Sequence, residues 1–422
     1  MKSKLIAILI LCVTFCLFAC THVYPKTENK IQSGDNKLWQ EYTKNISQFD
    51  MPSSSEETIQ RCFNSCVKIY TFFKSNGPIY KENSSSSSGN YTACLCGSGV
   101  IFHIDETTSY ILTNYHVVYN ENSIDKGKIC FDACCYVFGA EDFPILTNEY
   151  LDKEKKYKKY DYSNLGIKLE FVCGLASLDL AILKCNTLEL LAKNKTPRPI
   201  QFSESYNLGN SVFAIGNPQN EGLSATAGIV SVENDYINLS IGGKVREYRS
   251  IRTDTSIYSG SSGGGLFNTE GELIGITNAG DSENQNINYA IPLPIVKNFV
   301  YSFLKNGESY HQTKLVLGIN IKTESPQYSF SEELSNWQNT ETIIIDSVNQ
   351  NSVAKNLGLE KGDVLKSIKI DSEEFYINKV YVLSDALFLP QENSKISVLL
   401  ERNGEEKNFS YIVKASDLVK LD

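Results

Sequence analysis

Residues 253–277 read TDTSIYSGSSGGGLFNTEGELIGIT, and what surrounds the serine at their centre decides the fold. Gly260-Ser261-Ser262-Gly263-Gly264 sets that serine between glycines. A hydroxyl is a poor nucleophile unless a base takes its proton and something stabilises the oxyanion that follows. Glycines let the backbone turn sharply, so that consecutive N–H groups can face one small hole. Gly260-x-Ser262-x-Gly264 also fits a nucleophile elbow, which requires a strand before the serine and a helix after it. Here Gly265-Leu266-Phe267-Asn268 is followed by Thr269-Glu270-Gly271-Glu272 and then Leu273-Ile274-Gly275-Ile276. That pattern reads as strand, tight turn, strand, with no helical period. A serine set in β-structure points to a mostly β fold. The plain alternative is a Ser/Gly-rich loop that only turns the chain.

The chain has 422 residues, enough for two or three domains with substantial cores. Its net charge of -9 argues against a nucleic-acid partner. Only four histidines are present, His22, His103, His116 and His311, so a histidine-dependent mechanism has a short candidate list. Residues 1–19 read as a signal peptide, with Lys2 and Lys4 before an apolar run from Leu5 to Phe18. That run is shorter than the roughly 20 residues a membrane span needs. It ends Leu17-Phe18-Ala19-Cys20, which resembles a bacterial lipobox and implies export and a lipid on Cys20. The other reading is a plain secretory signal with an incidental cysteine.

Twelve cysteines occur; removing those of the signal and Cys20 leaves nine, all before the serine stretch. An exported chain meets an oxidising compartment, so these read as disulfide staples with at least one thiol left over. No pair has C-x-x-C spacing, and a metal site is not expected. Residues 20–55 are polar and read as a flexible tether. A helix starts at Ser55-Glu56-Glu57-Thr58 and would put Cys62 and Cys66 on one face. Val67–Phe73, Cys94–Phe102 and Tyr110–Thr113 read as strands, and the five serines within 83–90 as a mobile loop. The third strand delivers Asn114-Tyr115-His116-Val117-Val118, an imidazole on a first turn of helix. Lys153–Lys159 reads as a solvated charged loop. Ser177-Leu178-Asp179-Leu180 puts a carboxylate at the mouth of an apolar strand, where burial is costly unless it is paired.

The order His116, Asp179, Ser262 is that of chymotrypsin; α/β-hydrolases run Ser, Asp, His. His311 follows the serine and leaves the second order formally open, but it sits in a linker-like polar stretch. The segments GSGVIF (97–102), ILTNYHVV (111–118), LDLAILK (178–184), AIGNPQ (214–219), TAGIVS (226–231), TDTSIYSGSSGGGLFN (253–268), GELIGI (271–276) and NYAIPL (288–293) together resemble an HtrA/Deg-type serine protease. The resemblance covers residues 60–300 and implies a trypsin-like pair of six-stranded β-barrels. It implies Ser262 as nucleophile, His116 as general base and acid, and Asp179 as its orienting carboxylate. It further implies an oxyanion hole from the N–H groups of Gly260 and Ser262, no cofactor and a homotrimer. Two positions depart from the family: Ser261 stands where Asn is usual, and Gly265 where Pro is usual. Ser256, six residues before the nucleophile, is not the acid of enzymes that cut after Lys or Arg.

Residues 313–420 change character. SVAKNLGLEKGDVLKSI (352–368) resembles a bacterial PDZ domain, an α+β module that captures C-terminal peptides. Leu317-Gly318-Ile319 matches its carboxylate loop. The resulting expectation has four parts: signal 1–19, tether 20–55, protease domain 56–305 and PDZ domain 313–420. It is a lipid-anchored envelope endopeptidase that cleaves unfolded proteins. The alternatives are an inactive protease fold serving as a PDZ scaffold, and an intact triad whose oxyanion loop is ordered only by peptide at the PDZ groove.

Overall fold

A computed structural model describes residues 55–80, 86–140, 142–150, 158–161, 164–280, 286–307, 312–331 and 336–421. All lie in the unit spanning 36–422. The signal, Cys20, the tether up to residue 54, and His311 lie outside the described residues, as does most of the Lys153–Lys159 stretch.

Helix α1 (Ser55–Phe63) carries Glu56 and Glu57 in its first turn and Arg61 in its last, the arrangement that suits the helix dipole. It stops before Cys66. The run Cys66-Val67-Lys68-Ile69-Tyr70 is β-branched and aromatic, and it opens strand β1 (Cys66–Tyr80) instead. Cys62 and Cys66 therefore share no helix face, although both enter the same core. Residues 86–100 of strand β2 (Ser86–Ile104) pair with the whole of β1, including Ser86–Asn90 against residues 76–80. That stretch was expected to be a loop; a ladder needs only backbone donors and acceptors, which serines supply as well as any residue.

Strand β3 (Thr108–Thr113), helix α2 (Tyr115–Val118) and strand β4 (Asp132–Val137) follow. Strands β5 (Ile145–Tyr150) and β6 (Lys158–Asp161) form a small sheet of their own. Strands β7 (Ile167–Leu175) and β8 (Leu180–Asn186) close the first sheet in the order β1-β2-β3-β8-β7-β4. Asn186 then caps α3 (Thr187–Lys193) by accepting from the N–H groups of Leu188 and Glu189.

The second closed sheet contains β9 (Ser211–Gly216), β10 (Ser224–Ile241), β11 (Lys244–Thr253), β12 (Gly265–Asn268), β13 (Leu273–Gly280) and β14 (Asn288–Pro292). Its order is β10-β11-β14-β13-β12-β9. Helix α4 (Leu293–Asn306) follows and buries Val296, Phe299, Val300 and Phe303. One apolar cluster joins both sheets through Val100, Phe102 and Leu112 of the first, Ile215, Phe267 and Ile276 of the second, and α4. Phe102 meets Phe303 edge-on with ring centroids 6.2 Å apart. The two sheets therefore share one apolar core.

The C-terminal module has its own core around Ile343, Ile345, Ile368 and Val398. Its strands are β15 (Thr313–Leu315), β16 (Ile319–Ser331), β17 (Asn336–Val348), β18 (Val364–Ile370), β19 (Glu373–Tyr376), β20 (Lys395–Arg402), β21 (Glu405–Ile412) and β22 (Leu418–Lys420). The main sheet runs β16-β17-β18-β20-β21, which leaves β16 at an edge. Helices α5 (Val353–Leu357) and α6 (Val380–Ala386) complete it. Gly358 closes α5 in the left-handed conformation.

The expected disulfide staples are not formed: no disulfide joins the nine cysteines from Cys62 to Cys185. Cys96 and Cys134 both face Tyr70, from strands on opposite sides of β1. Two strand spacings separate them by about 10 Å, beyond disulfide reach. Burial pushes the Cys62 thiol up to about 12, so it stays protonated and unreactive.

Candidate active site

Strand β3 ends in Thr113 and passes directly into Asn114 and α2. Asn114 is fully buried, and its side-chain amide donates to the Asp179 carbonyl at 2.9 Å. Asp179 occupies the tight turn between β7 and β8 with φ +54. Aspartate is among the few residues that tolerate the left-handed region. Buried Leu178 and Leu180 flank it, and no part of it is exposed. The cost of burying this carboxylate is met by donors from α2. The His116 backbone N–H lies 3.1 Å from Oδ1, and Nδ1 lies 3.1 Å from Oδ1 and 3.0 Å from Oδ2. That pairing selects the tautomer with the proton on Nδ1 and leaves Nε2 as an acceptor.

The His116 side chain is 35% exposed. Burial of the ring disfavours its charged form, but the Asp179 charge and hydrogen bond outweigh this and hold its pKa above the ordinary histidine value.

Ser262 stands on the loop between β11 and β12. Its hydroxyl donates to the Asn278 carbonyl at 3.3 Å. Among the described residues no hydrogen bond joins it to His116. Ser262 nevertheless faces the first sheet, because its carbonyl accepts from the Ser98 N–H at 2.7 Å.

The loop's carbonyls fix the direction of its N–H groups. The Ser259 carbonyl accepts from the Gln219 N–H at 2.7 Å. The Ser261 carbonyl accepts from the Gly264 N–H at 2.9 Å and the Thr277 hydroxyl at 2.7 Å. In a trans peptide the N–H opposes the carbonyl, so the N–H groups of Gly260 and Ser262 point away from these partners. Neither donates to a protein acceptor among the described residues. Glycine is required at two places here. Gly260 has φ +94, and a β-carbon on it would lie 2.3 Å from the Asn217 carbonyl oxygen. Gly263 has φ +87, and its β-carbon would lie 2.1 Å from the Ser98 carbonyl oxygen.

Gly265, where the family usually has Pro, is a packing position. It pairs with Ile276 and Ile215, and a β-carbon there would meet the Phe267 ring at 2.4 Å. The Ser256 carbonyl accepts from the Thr226 hydroxyl at 2.9 Å. Among the described residues no group of three or more His, Cys, Asp or Glu side chains could hold a metal ion. In the C-terminal module, Gly318 has φ +76. The Leu317 carbonyl accepts from Ala354 N–H and the Gly318 carbonyl from Asn349 N–H, both at 2.9 Å. Ile319 opens edge strand β16.

Sequence reading passed over Ser98, Asn217 and Thr277. Each is a small polar residue on or beside an apolar strand, fully or almost fully buried. Their only sequence signal is polarity where a core residue would pack.

The chain is also similar to known proteins. The trypsin-like peptidase domain family matches residues 97–276. The serine endoprotease DegS of Haemophilus influenzae is 29% identical over 340 residues, covering 78% of this chain and 80% of that protein. The serine protease Do-like HtrA of Lactococcus lactis subsp. cremoris is 25% identical over 364 residues, covering 82% and 79%. Among solved structures, the HtrA-type protease AlgW with tripeptide matches with a TM-score of 0.50 at 22% identity, over 87% of this chain and 97% of that one. The chain is a serine protease with a trypsin-like peptidase domain. The relatives it matches are named as HtrA- and DegS-type serine proteases.

Proposed function

We propose that the chain is an HtrA-type serine endopeptidase in which Ser262, His116 and Asp179 act as a catalytic triad across the groove between two trypsin-like barrels. The observation that carries this is the pairing of His116 with the buried Asp179 carboxylate, on elements that border the glycine-rich Ser262 loop. In the reaction, His116 Nε2 takes the Ser262 proton as Oγ attacks the peptide carbonyl. The N–H groups of Gly260 and Ser262 receive the oxyanion. His116 then gives its proton to the leaving amine as the C–N bond breaks. Water, deprotonated by the same imidazole, releases the acid from the acyl-enzyme. Ser262 must first turn from the Asn278 carbonyl. The bond it gives up is long for an O–H···O contact, so the turn costs little.

The substrates are unfolded or misfolded proteins of the cell envelope, and the envelope location is supported by the name of one relative. That relative is a probable periplasmic serine endoprotease DegP-like protein of Buchnera aphidicola. The Leu17-Phe18-Ala19-Cys20 run supports anchoring through a lipid on Cys20. Residues 313–420 act as a PDZ domain for C-terminal peptides. Edge strand β16 offers unpaired backbone groups, and the Leu317-Gly318-Ile319 turn precedes it. Ser256 in place of an acid supports cleavage after uncharged rather than basic residues.

The orientation of Ser262 toward Asn278 favours one second reading: a resting enzyme in which peptide at the PDZ groove completes the triad. A fluorophosphonate probe tests the enzyme. Labelling of wild type, lost in Ser262→Ala, is the expected outcome. Correctly folded wild type without label, with or without C-terminal peptide, would identify an inactive scaffold.

A further inference from the structure

The hydroxyl of Ser98 connects the two sheets at the point where the Ser262 loop needs a fixed direction. Ser98 lies in β2 and is fully buried. Its hydroxyl accepts from the Asn217 N–H at 2.8 Å and donates to the Gly260 carbonyl at 2.8 Å. Its own N–H donates to the Ser262 carbonyl at 2.7 Å. Its carbonyl accepts from the Thr113 hydroxyl at 2.7 Å. One residue of the first sheet thus grips the loop at Gly260 and again at Ser262. Asn217, also fully buried, belongs to the turn after β9, and its neighbour Gln219 holds the Ser259 carbonyl.

The physical consequence concerns the peptide between Gly260 and Ser261. Its carbonyl faces the Ser98 hydroxyl, and its N–H donates to the Tyr258 carbonyl at 2.9 Å. Glycine offers no side chain to resist rotation of that peptide. Rotation would disturb the two flanking N–H groups, those of Gly260 and Ser262. We infer that Ser98 is a positioning residue for the oxyanion hole: its hydroxyl, held by the Asn217 N–H, keeps the Gly260 carbonyl turned away so that both N–H groups stay aimed at the developing oxyanion. This rests on the triad reading above. Removing the hydroxyl also orphans two buried backbone groups, the Asn217 N–H and the Gly260 carbonyl. A peptide flip that lets the carbonyl find another partner is then favoured.

The test compares full-length wild type, Ser98→Ala and Ser98→Cys, with sites counted by fluorophosphonate titration. Per titrated site, Ser98→Ala should lose about 10- to 100-fold in kcat with KM within about twofold, the pattern of an interaction made in the transition state. Affinity for a peptide boronic acid, whose tetrahedral adduct places an oxygen in the hole, should fall in the same proportion. Ser98→Cys keeps the volume but hydrogen-bonds weakly, and should lose less. If Ser98→Ala does not fold, Ser98→Cys carries the test, with a smaller fall in kcat and boronate affinity at an unchanged KM. A purely structural role would lower the number of titratable sites and leave kcat per site and boronate affinity at wild-type values; that result overturns the inference. Failure of the triad reading is separate, because then wild type itself would neither label nor turn over.

Discussion

At the scale of the residue, the buried pairing of Asp179 with His116 governs both the tautomer and the titration of the base. Asp179→Asn offers Nδ1 an amide in place of a carboxylate and removes the charge that supports the imidazolium. We expect kcat to fall by about 10⁴-fold, the size of effect seen when a triad aspartate is neutralised. The pH profile carries a second signature. In the proposed mechanism His116 must be neutral to act as base, and its pKa is raised in the folded protein. Wild-type kcat/KM should therefore fall, as pH is lowered, through a midpoint above that of ordinary histidine. In Asp179→Asn the residual activity should show its acid limb at lower pH. An acid limb unmoved by the substitution would contradict the pairing.

At the scale of the element, α4 is what fastens the second closed sheet to the first. Phe303 is 1% exposed and contacts both Phe102 and Tyr110 of the first sheet. Phe303→Ala should cost about 3–5 kcal/mol of unfolding free energy, measured by denaturant titration, because the cavity lies between two sheets that cannot easily collapse on it. A cost below about 1 kcal/mol would mean that the sheets do not depend on this helix. The helix was hidden in the sequence by its function as a joint. Its apolar face looks like any amphipathic helix, and nothing in the pattern says which sheet it covers. Strands were easier to find than their ends. The β1–β2 hairpin runs into the serine-rich segment because backbone pairing, not side-chain propensity, extends it.

At the scale of the whole molecule, the C-terminal module docks on the second sheet through a buried polar cluster. Asp385 of α6 lies 3.0 Å from Arg249 of β11, with side chains 8% and 6% exposed. Arg249 also donates to the Tyr206 hydroxyl at 3.0 Å and stacks on Tyr381, 4.5 Å from the ring centroid. Lys379 and Tyr381 both reach Glu233. Burial lifts the Asp385 carboxyl to about 6 against the opposing pull of Arg249 and Lys314. A carboxyl whose folded pKa is raised stabilises the fold most below its unfolded value, and that contribution is lost as pH rises through about 6. At neutral pH the attraction of Arg249 opposes the cost of burying the Asp385 carboxylate. Arg249→Met alone should destabilise by about 3–5 kcal/mol, whereas Arg249→Met with Asp385→Leu should come close to wild type or exceed it. Thermal unfolding of both variants at pH 7 checks this. Equal losses in the single and double variants would show that the pair itself holds the module in place.

The sequence by itself determined the strand-rich character, the serine between glycines, and the order of His116, Asp179 and Ser262. These are local facts: alternation, turn chemistry, and residue types at strand ends. Tertiary structure decided what depends on distant chain segments meeting. Cys96 and Cys134 cannot join because strand β1 stands between them. Ser98 becomes a hub because β2 passes beside a loop more than 150 residues later. Gly265 is set by the Phe267 ring that folds over it. Hydrogen bonds across a groove and packing between sheets leave no periodic trace in a linear chain, so only the folded molecule reveals them.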